Sequence, residues 1–573
     1  MPAFTDEEWE EVSQELPAKD DVVIQKYLEG RQALIDEEGK KRSDFHFRQS
    51  LSPIARKACE IIARIRDEEM SSLAGDTTEQ TRLWKIIRKM PKGALLHAHL
   101  DAMVDVDYIL EVLLNTPGIH IWCEDSHLAT AEARETAPIV VRFKEKEHRE
   151  GSIWREDYVP GTPILFTQAA NDYPGGKAEF LKWLKTRCTV SETATVSQRH
   201  ELSTLISNFL YYEPVFRAFL RQLMSTLYAD GISWIELRFT PPPNYSRKGT
   251  STPETDHDHL CQAIDETISS FAASPDGRGF WGLRLIWASS PRQPGARALV
   301  EDMDACIAAK LAWPHLIAGY DLADPGGGGG RPLADALPEL FWFRKQCASE
   351  DVSVPFYLTA GDTDLFDALL LDARRIAVRA DDGGGGGLHT HPSLAAAVRD
   401  RRVLVETCYD DASSSTGGVV LPALLAHGVP CCLGLGNNKG IVSSSSSSSC
   451  SSNWLALCRS GWRRRGGGGG GGRGAGMDLA ALGSLAENSV RWAALGDGED
   501  DSGGPADSAA DWAREVREAS LGSGVKARRL REWAVAWEGF CLWVVTEFGG
   551  EEEDVDMGVA GAEGEGGRSD GVS

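Results

Sequence analysis

Eight short apolar runs recur along the middle of the chain, and stretches with helical periodicity separate them. The helical stretches include 258–273, 297–311, 333–349 and 393–400. Strands that alternate with helices in this way predict an α/β fold, a (β/α)8 barrel, whose functional side chains lie at the C-terminal ends of the strands. The runs span 93–100, 232–239, 282–288, 316–323, 354–360, 374–378, 402–408 and 429–435.

The segments outside these runs predict a larger organisation. Residues 1–85 are highly charged and helical in pattern, which predicts an N-terminal helical extension before a barrel domain at 86–548. Residues 116–200 are too long for a plain connecting loop and predict an insertion after the first strand. A low-complexity segment at 443–477 contains serine and glycine runs and is flexible by composition. The acidic, glycine-rich tail 549–573 is predicted to be disordered.

Charge and cysteine usage narrow the function classes. The formal net charge of −25 argues against a nucleic acid or an anionic membrane as the main partner. No apolar run approaches the roughly 20 residues that cross a bilayer. The acidic N-terminus does not have the pattern of a secretory signal, and the 12 cysteines include no Cys-x-x-Cys. We therefore expect a cytoplasmic, reducing compartment.

A histidine pair stands where the first apolar run ends. His97 and His99 are two residues apart, so on a strand their side chains leave the same face and can hold one metal ion together. Asp101 follows near the strand end. The alternative is an ordinary pair of histidines at a strand end. The pairs at 257/259 and 389/391 have the same spacing but do not follow an apolar strand, which favours the metal interpretation for the first pair.

The stretch Pro-Lys-Gly-x-Leu-x-His-x-His-Leu-Asp-Ala-Met at 91–103 resembles the first-strand motif of the adenosine deaminase superfamily. It is most similar to the adenosine deaminase-related growth factor branch and its fungal members, and the resemblance covers roughly 85–440. It implies a zinc hydrolase that converts adenosine and water to inosine and ammonia. In that family a zinc ion, which activates the attacking water, is held by the histidine pair, a third histidine and an aspartate.

Carried over residue by residue, the resemblance assigns His97 and His99 as zinc ligands and Asp101 as a substrate-binding residue that contacts the ribose. Asp321, in Gly-Tyr-Asp-Leu at 319–322, matches the start of a fourth-strand motif and is a further candidate for substrate binding. The pair Glu-Leu-Arg at 236–238 matches a second-strand motif that suits a structural ion pair as well as a functional site.

The remaining motifs depart from the family pattern. Thr359 stands in place of the third histidine, and Asp362 stands in place of the glutamate that acts as catalytic acid, one methylene shorter. Val378 replaces the histidine base, and Asn437 replaces the last zinc ligand, where an amide is a far weaker ligand than a carboxylate. Two of four zinc ligands therefore survive, and the sequence predicts impaired or absent deaminase activity.

Glycine or serine runs lie beside most of these losses, at 326–330, 383–387 and 443–449. Either the chain is a degenerate paralogue, or the sequence joins coding segments wrongly at those points; clustering favours the second. Two other functions stay open: a non-catalytic binding or dimerisation barrel, and a metal-dependent hydrolase with another substrate. The resemblance also implies a homodimer formed through the N-terminal helices, for which simple packing is the alternative, and it offers secretion as the alternative compartment.

Overall fold

The computed structural model describes residues 5–18, 20–72, 81–146, 151–189, 196–289, 295–322, 332–361, 364–378, 388, 391–408, 417–435, 450–460, 477–496 and 509–550. The protein is a mixed α/β structure in which each of the eight predicted apolar runs contains a strand. The strands are β1 (Gly93–Leu95), β2 (Ile119–Cys123), β3 (Ile139–Phe143), β4 (Ile164–Leu165), β5 (Ile232–Phe239), β6 (Gly282–Ser289), β7 (Ile317–Leu322), β8 (Tyr357–Ala360), β9 (Arg375–Val378), β10 (Leu404–Cys408) and β11 (Cys431–Gly434).

Eight of these strands form two parallel four-stranded sheets, in the orders β1-β5-β6-β7 and β11-β10-β9-β8. The Tyr320 N–H donates to the Pro355 carbonyl over 2.9 Å, which connects the β7 edge to the segment directly before β8. The Leu435 N–H donates to the His97 carbonyl over 2.8 Å, which connects the β11 edge to the end of β1. Hydrogen bonds therefore connect both pairs of sheet edges.

Helices precede and alternate with the strands. The main apolar core contains buried residues of both the helices and the strands. The helices are α1 (Asp6–Glu15), α2 (Val22–Lys41), α3 (Phe45–Ser50), α4 (Pro53–Ser72), α5 (Arg82–Lys89), α6 (Val106–Asn115), α7 (Ala131–Thr136), α8 (Phe166–Asp172), α9 (Lys177–Arg187), α10 (Val196–Leu210), α11 (Glu213–Ala229), α12 (Asp258–Ala272), α13 (Ala296–Ala312), α14 (Leu337–Ser349), α15 (Asp364–Leu370), α16 (Pro392–Asp400), α17 (Gly417–Ala426), α18 (Cys450–Ser460), α19 (Leu479–Arg491), α20 (Ala509–Glu518) and α21 (Val525–Phe548). In the part of the chain that the structure describes, no helix has the length and apolar character needed to cross a membrane.

A second apolar cluster contains residues of both four-stranded sheets near the N-terminal ends of their strands. It combines strand residues such as Trp234 and Leu404 with Trp492 and Ala493, which follow α19. The Trp492 indole N–H donates to the Arg402 carbonyl over 2.8 Å and fixes this segment below the strands. Apolar side chains are therefore packed at the opposite ends of the strands from the histidine pair.

Two segments differ from the sequence-based expectation. The low-complexity segment 443–477 contains the helix α18, because Trp454, Leu457 and Cys458 recur at helical spacing and are buried. The insertion contains a three-stranded antiparallel sheet in the order β3-β2-β4, which the sequence pattern did not predict. The serine run, the glycine run at 466–472 and residues 551–573 lie outside the described residues, and the domain bounds stay predictions.

The contact between β7 and β8 provides a first test of the fold. A Cβ at Gly319 would lie 2.6 Å from the Pro355 carbonyl oxygen and 2.6 Å from the Tyr357 ring. We expect Gly319→Ala to destabilise the protein by about 1–3 kcal/mol, because the added methyl overpacks this contact.

The matched control is Gly539→Ala in α21, where a Cβ would meet nothing within 4 Å. This variant should gain about 0.5–1 kcal/mol, because alanine loses less backbone entropy in a helix. Urea unfolding of both variants measures the difference. Equal stabilities would show that β7 and β8 are not held this closely.

Candidate functional site

The histidine pair lies directly after β1 and is almost fully buried. His97 is 3% exposed and His99 is 5% exposed, and their ring centroids are 5.5 Å apart in an edge-on arrangement. The strand ends early here, and the backbone instead makes single contacts with β5: the Arg238 N–H donates to the Ala98 carbonyl over 2.8 Å. The structure thus brings the two predicted metal ligands together at the C-terminal end of the sheet.

A carboxylate orients the first histidine. His97 Nδ1 lies 3.0 Å from Glu406 Oε2 in β10. With the proton on Nδ1, the ring donates to the carboxylate and carries its lone pair on Nε2. Metal-binding histidines are oriented by carboxylates in this way.

The second histidine is held neutral. Burial is the largest cause that lowers the pKa of His99 well below its usual value, and the nearby His97 and Arg238 lower it further. A neutral imidazole is the form that binds a metal ion. Asp101 follows in a short 3-10 helix, Leu100–Met103, where burial raises the pKa of its carboxyl group.

Arg238 is the centre of the buried charges below the histidines. Its guanidinium group donates to the Leu96 carbonyl over 2.6 Å, to Glu406 over 2.6 Å and to Asp321 over 3.1 Å. Because Glu406 lies in the other four-stranded sheet, this one side chain joins the two sheets through the interior. Both carboxylates and the guanidinium group are fully buried.

A second arginine extends this arrangement. Arg375 in β9 donates to Glu236 over 2.5 Å, and its Nε forms an ion pair with Glu406 at 2.9 Å. Its guanidinium group also lies 3.9 Å from the centroid of the Tyr357 ring. Burial would raise the pKa of Glu406, but the two guanidinium groups and the His97 imidazole outweigh it and hold that pKa at about 2. We call Glu236, Arg238, Asp321, Arg375 and Glu406 the charge network.

Thr359 and Asp321 make a close pair across β7 and β8. The Thr359 N–H donates to one carboxylate oxygen of Asp321 over 2.7 Å, and its hydroxyl donates to the other over 2.7 Å. Asp321 is fully buried and also accepts from Arg238, so its carboxylate accepts three hydrogen bonds from the protein. These contacts are all with protein groups, so the substrate-binding role of Asp321 stays a prediction.

Several residues of the predicted site are not among those that the structure describes. The catalytic candidate Asp362, together with His389 and Asn437, lies outside the described residues, as do the segments that follow the C-terminal ends of β6 to β11. Within the described ranges, no group of three histidine, cysteine, aspartate or glutamate side chains is arranged to hold a metal ion. His97 and His99 fit two positions of a zinc shell, whereas such a shell has three or four protein ligands.

Comparisons with known proteins give the site a context. The chain is 23% identical over 352 residues to an adenosine deaminase from Phlebotomus duboscqi, which covers 58% of this chain and 60% of the relative. It is 25% identical over 451 residues to adenosine deaminase 2 from Sus scrofa, which covers 74% of this chain and 78% of the relative. No protein-family model matches the chain. The chain thus matches about 60% of the length of the first relative and more of the second.

A solved structure shows a weaker likeness. A crystal structure of an amidohydrolase from Burkhoderia ambifaria with bound Zn has a TM-score of 0.42 and 15% identity, and covers 82% of this chain and 97% of that one. A score of this size does not establish a shared fold. The sequence relatives are therefore the comparison that bears on function.

The sequence pattern did not reveal Glu406 and Arg375 as members of the site. Each stands in a strongly apolar run, Glu406 within Val-Leu-Val-Glu-Thr and Arg375 before Ile-Ala-Val. A charged side chain in a buried strand requires a partner, and that requirement was the available signal. The identity of each partner depends on which strands face each other across the interior.

The charge network predicts a large loss when one member is removed. Arg238→Met leaves Asp321 and Glu406 without their main buried partner, and we expect a destabilisation of about 3–5 kcal/mol. The matched control is Arg297→Met, whose exposed ion pair with Glu301 (2.7 Å) should contribute only about 0.3–0.5 kcal/mol. Chemical denaturation measures both variants. A loss at Arg238 no larger than that at Arg297 would refute a structural role for the network.

Proposed function

We propose that the two sheets form one closed (β/α)8 barrel of the adenosine deaminase type, nearest the growth factor branch and its fungal members. The lineage reaction is zinc-dependent hydrolytic deamination of adenosine, or of a closely related purine nucleoside, to inosine and ammonia. The observation that carries this proposal is the His97–Glu406 pair beside a neutral His99 at the end of β1. Sequence similarity to curated adenosine deaminases supports it.

The same geometry supports impaired activity in this chain. Thr359, which the resemblance sets in place of a third histidine ligand, donates a hydrogen bond from its hydroxyl group to Asp321. A zinc ion supplies an activated water when bound. The residues that the structure describes do not complete the shell of this ion. His97 and His99 remain as half of a site, with Asp101 beside them for the nucleoside and Asp362 in place of the catalytic acid.

We further propose that the protein works in a reducing compartment such as the cytoplasm. Among the described residues, eleven cysteines are free thiols, ten of them buried. Cys123 and Cys188 in the insertion, where the growth factor branch pairs cysteines, are both free and buried. Free thiols persist where glutathione and thioredoxin keep them reduced.

Metal content and a nucleoside assay test the proposal together. After dialysis, we expect the full chain to hold much less than one zinc per molecule, because two histidines do not retain the ion as a full shell does. Adenosine conversion, followed by the fall in purine absorbance, should stay near background. One tightly held zinc per chain with strong deaminase activity would contradict the proposed impairment.

Restoring the replaced ligands and catalytic groups tests the proposed deaminase lineage separately from the proposed loss of activity. The joint variant Thr359→His, Asp362→Glu, Val378→His and Asn437→Asp should convert adenosine well above the parent. Thr359→His alone should recover almost nothing, because groups acting on one water are strongly non-additive. The control carries Thr252→His, at an exposed threonine, in place of Thr359→His. If the joint variant binds zinc in a folded protein but ignores adenosine and related nucleosides, the substrate assignment is wrong.

A homodimer through the N-terminal helices is the second part of the proposal. No residue of α2 is buried, and Val23, Tyr27 and Leu34 are 70%, 70% and 67% exposed on one face of the helix. An exposed apolar face of this kind is typical of an interaction surface. The growth factor branch, which the chain resembles, dimerises through such an extension.

Sedimentation velocity tests the dimer. The full chain should sediment as a dimer, and Val23→Glu with Tyr27→Glu and Leu34→Glu should sediment as a monomer, because charges replace the apolar contact. The control variant Lys26→Glu with Lys40→Glu changes a neighbouring polar face of the same helix and should remain dimeric. A monomeric parent chain at all concentrations would refute this part of the proposal.

A further inference from the structure

A basic groove lies along α5, the helix that leads into the N-terminal end of β1. It has a volume of about 530 Å³, and its lining includes Trp84 and four cationic side chains of α5. The cations are Arg82, Lys85, Arg88 and Lys89. The histidine pair follows the opposite end of β1, so the groove is separate from the candidate metal site. We call this surface the α5 groove.

Carboxylates pair with the two cations in the first half of α5. Arg82 forms an ion pair with Glu68 at 2.8 Å, and Lys85 forms one with Glu547 at 3.1 Å. The side chains of the second pair are 60% and 47% exposed, so solvent screens their attraction. An ammonium group has three N–H donors, and Glu547 accepts from one of those on Lys85. Lys85 therefore retains donors for a further anion.

The two cations in the last turn of α5 are not matched by carboxylates. Arg88 is exposed, and its side chain forms no ion pair or hydrogen bond with any residue in the described ranges. Lys89 is also exposed, and its Nζ lies 4.2 Å from the centroid of the Trp543 ring. It has no carboxylate partner among the same residues. This end of the α5 groove therefore carries positive charge that the described protein does not neutralise.

The end of the helix does not require these two charges. Cations in a last turn usually offset the partial negative charge of the terminal carbonyls. In α5 the fully buried Lys92 does so, because its Nζ donates to the Ile87 carbonyl over 2.8 Å and to the Met90 carbonyl over 3.3 Å. Burial lowers the pKa of Lys92, and the nearby charge of Arg88 lowers it further. Arg88 and Lys89 thus add charge beyond what the carbonyls need.

The spacing of the cations suits a phosphate group. Lys85 is three residues from Arg88 and four from Lys89, so the Cβ atoms are about 5–6 Å apart and the long side chains can converge on one anion. Arginine and lysine bind phosphate oxygens through charge-assisted hydrogen bonds. The volume of about 530 Å³ is within the range of small-molecule sites, about 300–1,000 Å³. The groove therefore has room for more than a single ion.

We propose that the α5 groove binds a small phosphate-bearing ligand, with its phosphate groups between Lys85, Arg88 and Lys89. The formal net charge of −25 disfavours the approach of a large anionic surface, whether a membrane or an acidic protein. A small ligand meets only the local positive charge of the groove. The site does not use the histidine pair, and it is independent of the proposed deaminase function.

Titration of the full chain with pyrophosphate at low ionic strength, followed by calorimetry, tests the site. We expect one binding site in the parent. Arg88→Gln with Lys89→Gln should weaken binding by about tenfold or more, because two charge-assisted contacts are removed. The control Lys26→Gln with Arg31→Gln removes the same charge from exposed positions of α2 and should bind as the parent does.

Lysine reactivity places the bound pyrophosphate on the chain. The rates at which an amine-acetylating reagent modifies individual lysines are measured by peptide mass spectrometry. Pyrophosphate should slow the modification of Lys85 and Lys89 several-fold and leave exposed Lys182 unchanged. Sulfate at the same ionic strength controls for charge screening and should protect the two lysines much less.

Four results would overturn the proposal. The first is a parent chain that does not bind pyrophosphate. The second is equal affinity in the parent and in Arg88→Gln with Lys89→Gln; a lower urea midpoint in that variant would then assign these cations to the helix end. The third is equal protection by sulfate and pyrophosphate, which would show screening alone. The fourth is weaker binding of pyrophosphate than of phosphatidic acid vesicles or polyglutamate, which would assign the groove to a lipid surface or an acidic protein.

Discussion

Pairing of buried charge is the constraint on which the rest of this structure depends. Three carboxylates and two guanidinium groups lie in the interior, where an unpaired ion costs several kcal/mol. Arg238 and Arg375 each reach a carboxylate in the opposite four-stranded sheet, so that charge pairing also holds the sheets together. The same pairing keeps Glu406 ionised, and an ionised Glu406 orients His97.

This dependence explains how the described scaffold is held together independently of a metal ion. The ion pairs of the network are formed between residues of the strands, so none of them requires a zinc ion. At the position that the resemblance gives to a third ligand, Thr359 bonds both oxygens of Asp321 and leaves no buried polar group unpaired there. Under the proposed function, losses at the strand ends would remove chemistry, while the buried support for the histidine pair is retained.

Local pattern predicted the strands well and the network poorly. The eight apolar runs are buried strands because their residues are apolar or β-branched over the right length, which is a local property. The histidine pair was recognisable from its spacing and its place after β1. The partners of Glu406 and Arg375 were not, since they depend on which strands face each other across the interior. The helix α18 was not predicted, because a serine run before it and a glycine run after it made the whole segment look flexible by composition. Its apolar residues nevertheless recur at helical spacing.

Zinc X-ray absorption of the full chain with one equivalent of zinc tests the central claim, that half of a deaminase-type metal site remains at the end of β1. The account predicts two imidazole nitrogens at about 2.0–2.1 Å, with oxygen filling the remaining positions, and loss of both in His97→Ala with His99→Ala. Three or more imidazoles, or a spectrum unchanged by that double substitution, would contradict it.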